Sequence, residues 1–197
     1  MGPLESFFFA IGFVFVFVGL IRGFLKELGL TTVMIVWLFA MDQLIPRVEG
    51  MIRGEDTFLV NLGLTATTMP TTLWLLLSAG TIVVVYIAYQ GETLAFEGKP
   101  PKGMAGFLFS LLIGVINGYL VAGTLWWILN RYGYPIREVA RLADFAPGQF
   151  LSPLANDIVN ASRLLPPDLL GQGAESATTL GVLPLLVVTL VILRIVR

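Results

Sequence analysis

The chain has 197 residues, of which 56% are hydrophobic and 13% charged, with a net charge of −1. Soluble domains carry about 25% charged residues, so this composition points to a single membrane domain, and no basic field is present to attract nucleic acid. Cys and His are both absent, which excludes disulfide frameworks, thiolate metal sites, Cys nucleophiles, the commonest general base and the usual axial ligand of haem.

The first apolar run covers residues 7–21 and is rich in Phe, Val, Ile and Gly. Met1-Gly2-Pro3-Leu4-Glu5 lacks a positive n-region and no small-x-small site follows, so this run is expected to remain as a span rather than be cleaved as a signal. It ends in Arg22-Gly23-Phe24-Leu25-Lys26-Glu27, and a second apolar run covers 28–45. Each run approaches the roughly 20 helical residues that cross a hydrocarbon core of about 30 Å, and the charges between them fall where a chain turns back at a membrane surface. Residues 58–64 read as a further half-apolar segment. The third predicted span is 72–89. The fourth, 104–129, is the longest and ends near Trp126-Trp127, placed as an interfacial aromatic anchor.

After it, 135–143 reads as a short helix. Ser152-Pro153 starts another, which Pro166-Pro167 stops. Such half-apolar helices lie flat on a membrane or cap a bundle. Residues 177–193 form a fifth candidate span closed by Arg194 and Arg197, and 180–193 falls in the range where re-entrant segments compete. The expected fold is therefore all-α, a polytopic transmembrane bundle of four or five spans with amphipathic helices between spans four and five. It divides into a membrane domain at 1–129, a membrane-surface segment at 130–176, and a fifth span with a basic tail at 177–197. Lys and Arg are densest in the short segments 22–27 and 91–103, which places the amino terminus outside and Lys99 and Lys102 on the cytoplasmic side.

Span four carries Gly106, Ser110, Gly114, Gly118 and Ala122 at every fourth position, a stripe that lets helix backbones approach closely. Gly12, Gly19 and Gly23 make a weaker stripe on span one, a candidate partner for it. Asn117, near the middle of span four, needs a hydrogen-bond partner; a neighbouring helix is the ordinary one, a substrate path the alternative. Arg22, Lys26, Glu27 and Asp42 fall at span ends, where snorkelling or interfacial hydration would serve them, and no proton relay is visible. Without His there is no zincin motif and no Ser–His pair, and Glu97-Gly98-Lys99 is not a phosphate-binding loop of the Walker type. No catalytic residue, metal ligand or cofactor site is expected.

The stretch Gly19-Leu20-Ile21-Arg22-Gly23-Phe24-Leu25-Lys26-Glu27-Leu28 resembles the opening of the colicin V production (CvpA) family, where a hydrophobic helix ends in Arg-Gly and a basic residue and Glu lead into the next. Residues 105–118 look like that family's Gly-rich fourth helix. Ser152-Pro153-Leu154 with Leu164-Leu165-Pro166 is similar to its post-membrane segment. The resemblance covers most of residues 4–166. It implies a bacterial inner-membrane protein with a non-enzymatic role in colicin V or toxin production, secretion or envelope homeostasis. It marks Arg22, Gly23 and Glu27 as signature positions that anchor a tight hairpin. The fifth span departs from the family's four-span form. The expected partners are the lipid bilayer and other membrane proteins, a homo-oligomer among them, and not nucleic acid. Two alternatives stay open: an accessory subunit of a larger energy-transducing membrane complex, and a homo-oligomeric channel.

Overall fold

The computed structural model describes residues 3–53, 69–90, 102–132 and 165–171, and every structural statement below concerns these. They are almost wholly helical, without a strand: α1 (Pro3–Arg22), α2 (Phe24–Arg53), α3 (Met69–Gln90), α4 (Gly103–Arg131) and α5 (Pro166–Gly171). Three stretches are long and apolar enough to cross a membrane: Phe24–Met51, Pro70–Gln90 and Gly103–Arg131. The apolar part of α1, Ser6–Arg22, is shorter. The segments predicted at 58–64, 135–143 and 177–193 lie outside the described residues, as does the helix predicted from Ser152 apart from its last residue, Leu165.

One element boundary differs from the sequence reading. The second apolar run was read over 28–45, whereas α2 continues through Pro46 to Arg53. The missing N–H of Pro46 deprives only the carbonyl four residues back, at Asp42, and Pro46 is exposed, so the loss falls where that carbonyl can find other donors. Pro166 and Pro167, read as stopping a helix that lies almost wholly outside the described residues, themselves begin one. Proline is suited to a first helical turn, whose N–H groups have no intrahelical partner.

The four long helices run up and down. Gly23, at φ +84°, turns α1 into α2; its amide donates to the Gly19 carbonyl (2.9 Å), and its own carbonyl accepts from the Glu27 amide (3.3 Å). A side chain there would meet no steric obstacle, so the left-handed backbone is what favours glycine. Packing of α1 is chiefly on α4, antiparallel to it. Seen along that seam, Gly19 lies on Gly114 and Ser110, Gly114 on the Phe15–Val16 backbone, and Gly118 on Gly12. A Cβ on Gly114 would come within 2.9 Å of the Phe15 carbonyl oxygen, and one on Gly118 within 2.9 Å of the Gly12 Cα. The two helices therefore touch backbone to backbone. In a bilayer, where lipid is as apolar as leucine, this dispersion contact is what holds helices together.

Two apolar clusters fill the bundle. The central one joins Phe15, Leu30, Met34, Leu38, Ala88 and Leu120; the other, toward the far end, joins Met41, Ile45, Leu73, Trp127, Ile128 and Tyr132. Trp37 enters the space left by Gly80, and its indole N–H donates to Thr81 Oγ1 (3.0 Å). The outer faces are apolar as well: Phe13, Ile21, Leu75, Ile82, Met104 and Phe107 are all more than half exposed. A surface of that kind is matched by hydrocarbon rather than water.

Candidate functional site

Just beyond the hairpin, four helices converge on one carboxylate. Glu27 lies in the first turn of α2, where the helix dipole favours an anion. It is fully enclosed, with a relative exposure of 0%. The Nη1 of Arg22 at the end of α1 donates to Glu27 Oε1 at 3.2 Å. From α4, Asn117 Nδ2 donates to Glu27 Oε2 at 2.8 Å and to the Glu27 carbonyl at 3.0 Å. From α3, the Tyr89 hydroxyl donates to Oε2 at 3.2 Å. Thr31, one turn along α2, lies 2.7 Å from Asn117 Oδ1 and 3.2 Å from the Glu27 carbonyl, and shares its single hydroxyl proton between them. The Arg22 guanidinium also lies over the Tyr89 ring, 4.3 Å from its centroid, so cation–π attraction adds to the ion pair.

The expectation that Glu27 is served by interfacial hydration is corrected here. A carboxylate cut off from water costs several kcal/mol unless charge and donors replace the solvent. Arg22 supplies the charge, and Tyr89 and Asn117 supply the donors. Arg22 itself is a quarter exposed and keeps contact with the surroundings, as its place at a span end implies. Lys26 is exposed. The carboxylate of Asp42 is half-buried and accepts from Gln43 Nε2 at 3.2 Å.

Of the residues singled out in the sequence, the structure brings Arg22, Glu27 and Asn117 into one network and places Gly23 at its turn. On α4, Ser110, Gly114, Gly118 and Ala122 are buried, and Gly106 is half-buried. Asn117 adjoins Gly118 and points to α2 while the glycines face α1, so α4 serves both neighbours with adjacent faces. Sequence reasoning missed Tyr89 and Thr31. The i, i+4 spacing of Glu27 and Thr31 was a visible sign that they share a face; nothing local distinguishes Tyr89 from Tyr86, which is exposed.

A second polar cluster closes the opposite end. Arg131 at the end of α4 forms a two-pronged ion pair with Glu49 of α2 (Nε–Oε1 3.3 Å, Nη2–Oε2 3.2 Å), and the Tyr132 hydroxyl donates to Glu49 Oε1 at 3.3 Å. Burial pushes the Tyr132 phenol up to about 12. The Trp127 indole N–H donates to Asp168 Oδ1 of α5 at 2.8 Å. Among the described residues no group of three or more Asp or Glu is placed to hold a metal ion.

No family model, no curated protein and no solved structure matches this chain.

Proposed function

We propose that this chain is a CvpA-like integral membrane protein of the bacterial inner membrane, acting without catalysis in toxin production, secretion or envelope homeostasis. The observation that carries the reading is the meeting of Glu27 with Asn117. The hairpin signature and the Gly-rich helix, the two stretches in which the resemblance is densest, stand 90 residues apart in the chain, and their polar residues bond directly. A resemblance confined to hydrophobic composition would not require its separate motifs to share one network. The enclosure of Glu27 favours a structural role over one that meets a substrate, since both carboxylate oxygens are engaged by neighbouring helices. The distribution of Lys and Arg favours a cytoplasmic hairpin and an amino terminus outside.

The test is deletion of the gene in its host, with complementation by wild type, Arg22→Lys and Glu27→Gln. Inserted protein, export of a reporter toxin and survival under detergent stress are measured in parallel. Loss of envelope tolerance or export on deletion, with restoration by Arg22→Lys in proportion to inserted protein, is the expected result. A deletion strain that matches wild type in both readouts overturns the proposal. Purification in mild detergent separates the alternatives: co-purifying cofactor-bearing subunits indicate an accessory role, and a symmetric ring indicates a channel.

A further inference from the structure

We infer that residues 165–171 are a membrane-embedded segment, seated between α2 and α4 and running from the Arg131–Glu49 end toward the middle of the bilayer. The inference rests on the reading of α4 as a span, and it contradicts the sequence expectation that this region lies on the membrane surface.

Depth can be read from α4. The ring of Phe24, next to the hairpin glycine, lies 5.4 Å from that of Phe109, so the hairpin level on α4 is near Phe109. The other polar end is at Arg131. Those positions are about 33 Å apart at 1.5 Å per helical residue, close to the roughly 30 Å of a hydrocarbon core. The midplane then falls near Leu120.

Against this ruler α5 is deep. Pro166 is fully buried and packs on Gly123 so closely that a Cβ there would lie 2.6 Å from the proline Cδ. Gly123 is eight residues inward of Arg131, about 12 Å below the polar end. Leu165 belongs to the far apolar cluster with Met41, Ile45 and Trp127, whereas Leu170 packs on the central cluster that contains Leu38 and Leu120. The segment thus descends as it runs from Leu165 to Leu170.

Its chemistry suits such a place. Backbone away from water must find partners within the protein, and short or broken helices occur at membrane depth only when protein or a cavity encloses them. A helix start normally leaves four N–H groups unpaired. Here the first two residues are proline and have none, and the Leu169 amide donates to the Leu165 carbonyl at 2.9 Å. The Asp168 carboxylate accepts a hydrogen bond from the Trp127 indole N–H, which satisfies a donor that lies about 6 Å inward of Arg131. Two polar groups that each need a partner away from water therefore meet.

The natural absence of cysteine makes the test direct. Leu169→Cys, Val115→Cys and Asn130→Cys are made singly in the full chain. Each is labelled with a nitroxide and reconstituted in phosphatidylcholine–phosphatidylglycerol vesicles, and its collision rates with oxygen and with a water-soluble nickel chelate are measured. All three positions are exposed on the protein. Val115 is the mid-span control and Asn130 the surface control. The expected result is a Leu169 label about 10 Å deeper than Asn130, on the helical-rise scale, with nickel collisions well below those at Asn130. A Leu169 label with the depth or nickel access of Asn130 overturns the inference. A Val115 label that reads as aqueous overturns instead the reading of α4 as a span, so the two failures are distinct. In a second arm, Gly123→Val drives a side chain into Pro166 and should move the Leu169 label outward while the Val115 label keeps its depth in the bilayer. An unmoved Leu169 label there also counts against the seat.

Discussion

Replacing Arg22 by Leu should destabilise the protein more than replacing Glu27 by Gln, although Glu27 is the residue at the centre of the network. The reason is which partner is left behind. Arg22→Leu strands a carboxylate with 0% exposure, held only by the neutral donors of Tyr89 and Asn117. Removing one member of a buried pair costs roughly 3–5 kcal/mol, and the surviving donors place this case near about 3. Glu27→Gln keeps an oxygen for Asn117 and Tyr89 and strands only Arg22, which is 25% exposed and can turn to water or headgroups. That change loses about 1–2 kcal/mol, the order of one hydrogen bond to a charged group. Neutral hydrogen bonds between membrane helices average only about 0.6 kcal/mol, so the charge, not the bond count, sets the order. The double variant carries no stranded charge and should cost little more than Glu27→Gln, giving a coupling of about 2 kcal/mol. The assay is reversible unfolding in mixed micelles with increasing dodecyl sulfate, followed by the fluorescence of the four tryptophans. If Arg22→Leu costs no more than Glu27→Gln, or if the double variant equals the sum of the singles, the buried-charge reasoning is wrong.

Gly114→Leu and Gly118→Leu should each lower the unfolding midpoint in detergent, since their side chains would meet the α1 backbone, while the exposed Leu112→Ile should not; overpacking of this kind costs about 1–3 kcal/mol. Equal midpoints for all three would show that α1 is not held by that seam. Gly23→Ala should cost about 1–2 kcal/mol from its φ of +84° alone, because nothing crowds the new methyl group; a neutral result would mean that the hairpin relaxes to another turn. The raised ionisation of Tyr132 contributes stability that is complete below pH 10, its ordinary value, and is lost as pH rises from there toward about 12. Thermal stability should therefore fall less over that interval in Tyr132→Phe than in wild type, and parallel curves would contradict the assignment.

Much of the helical layout was legible because the apolar runs are long and the turn between the first two carries a compact group of charges. The close-approach residues of α4 could be read from their four-residue period. What escaped was pairing in three dimensions. Asn117 announced that it needed a partner but not which one, and Tyr89 carries no local mark that its hydroxyl faces Glu27. The depth of Glu27 was misjudged because position along a helix says where a residue begins, not where its side chain ends. The second helix outran its apolar run because a proline such as Pro46 interrupts only the hydrogen bond it cannot make.

The contacts of Glu27 also become available in a fixed order along the chain. Its partner Arg22 lies five residues before it, whereas Tyr89 and Asn117 lie 62 and 90 residues after it. At synthesis rates of about 5–20 residues per second, the last of these donors emerges several seconds after the first hairpin. During that interval the hairpin already holds the counter-charge of this carboxylate, in Arg22. Asn117 and Tyr89 reach Glu27 only when α4 and α3 pack on α2, so these bonds form only in the closed bundle.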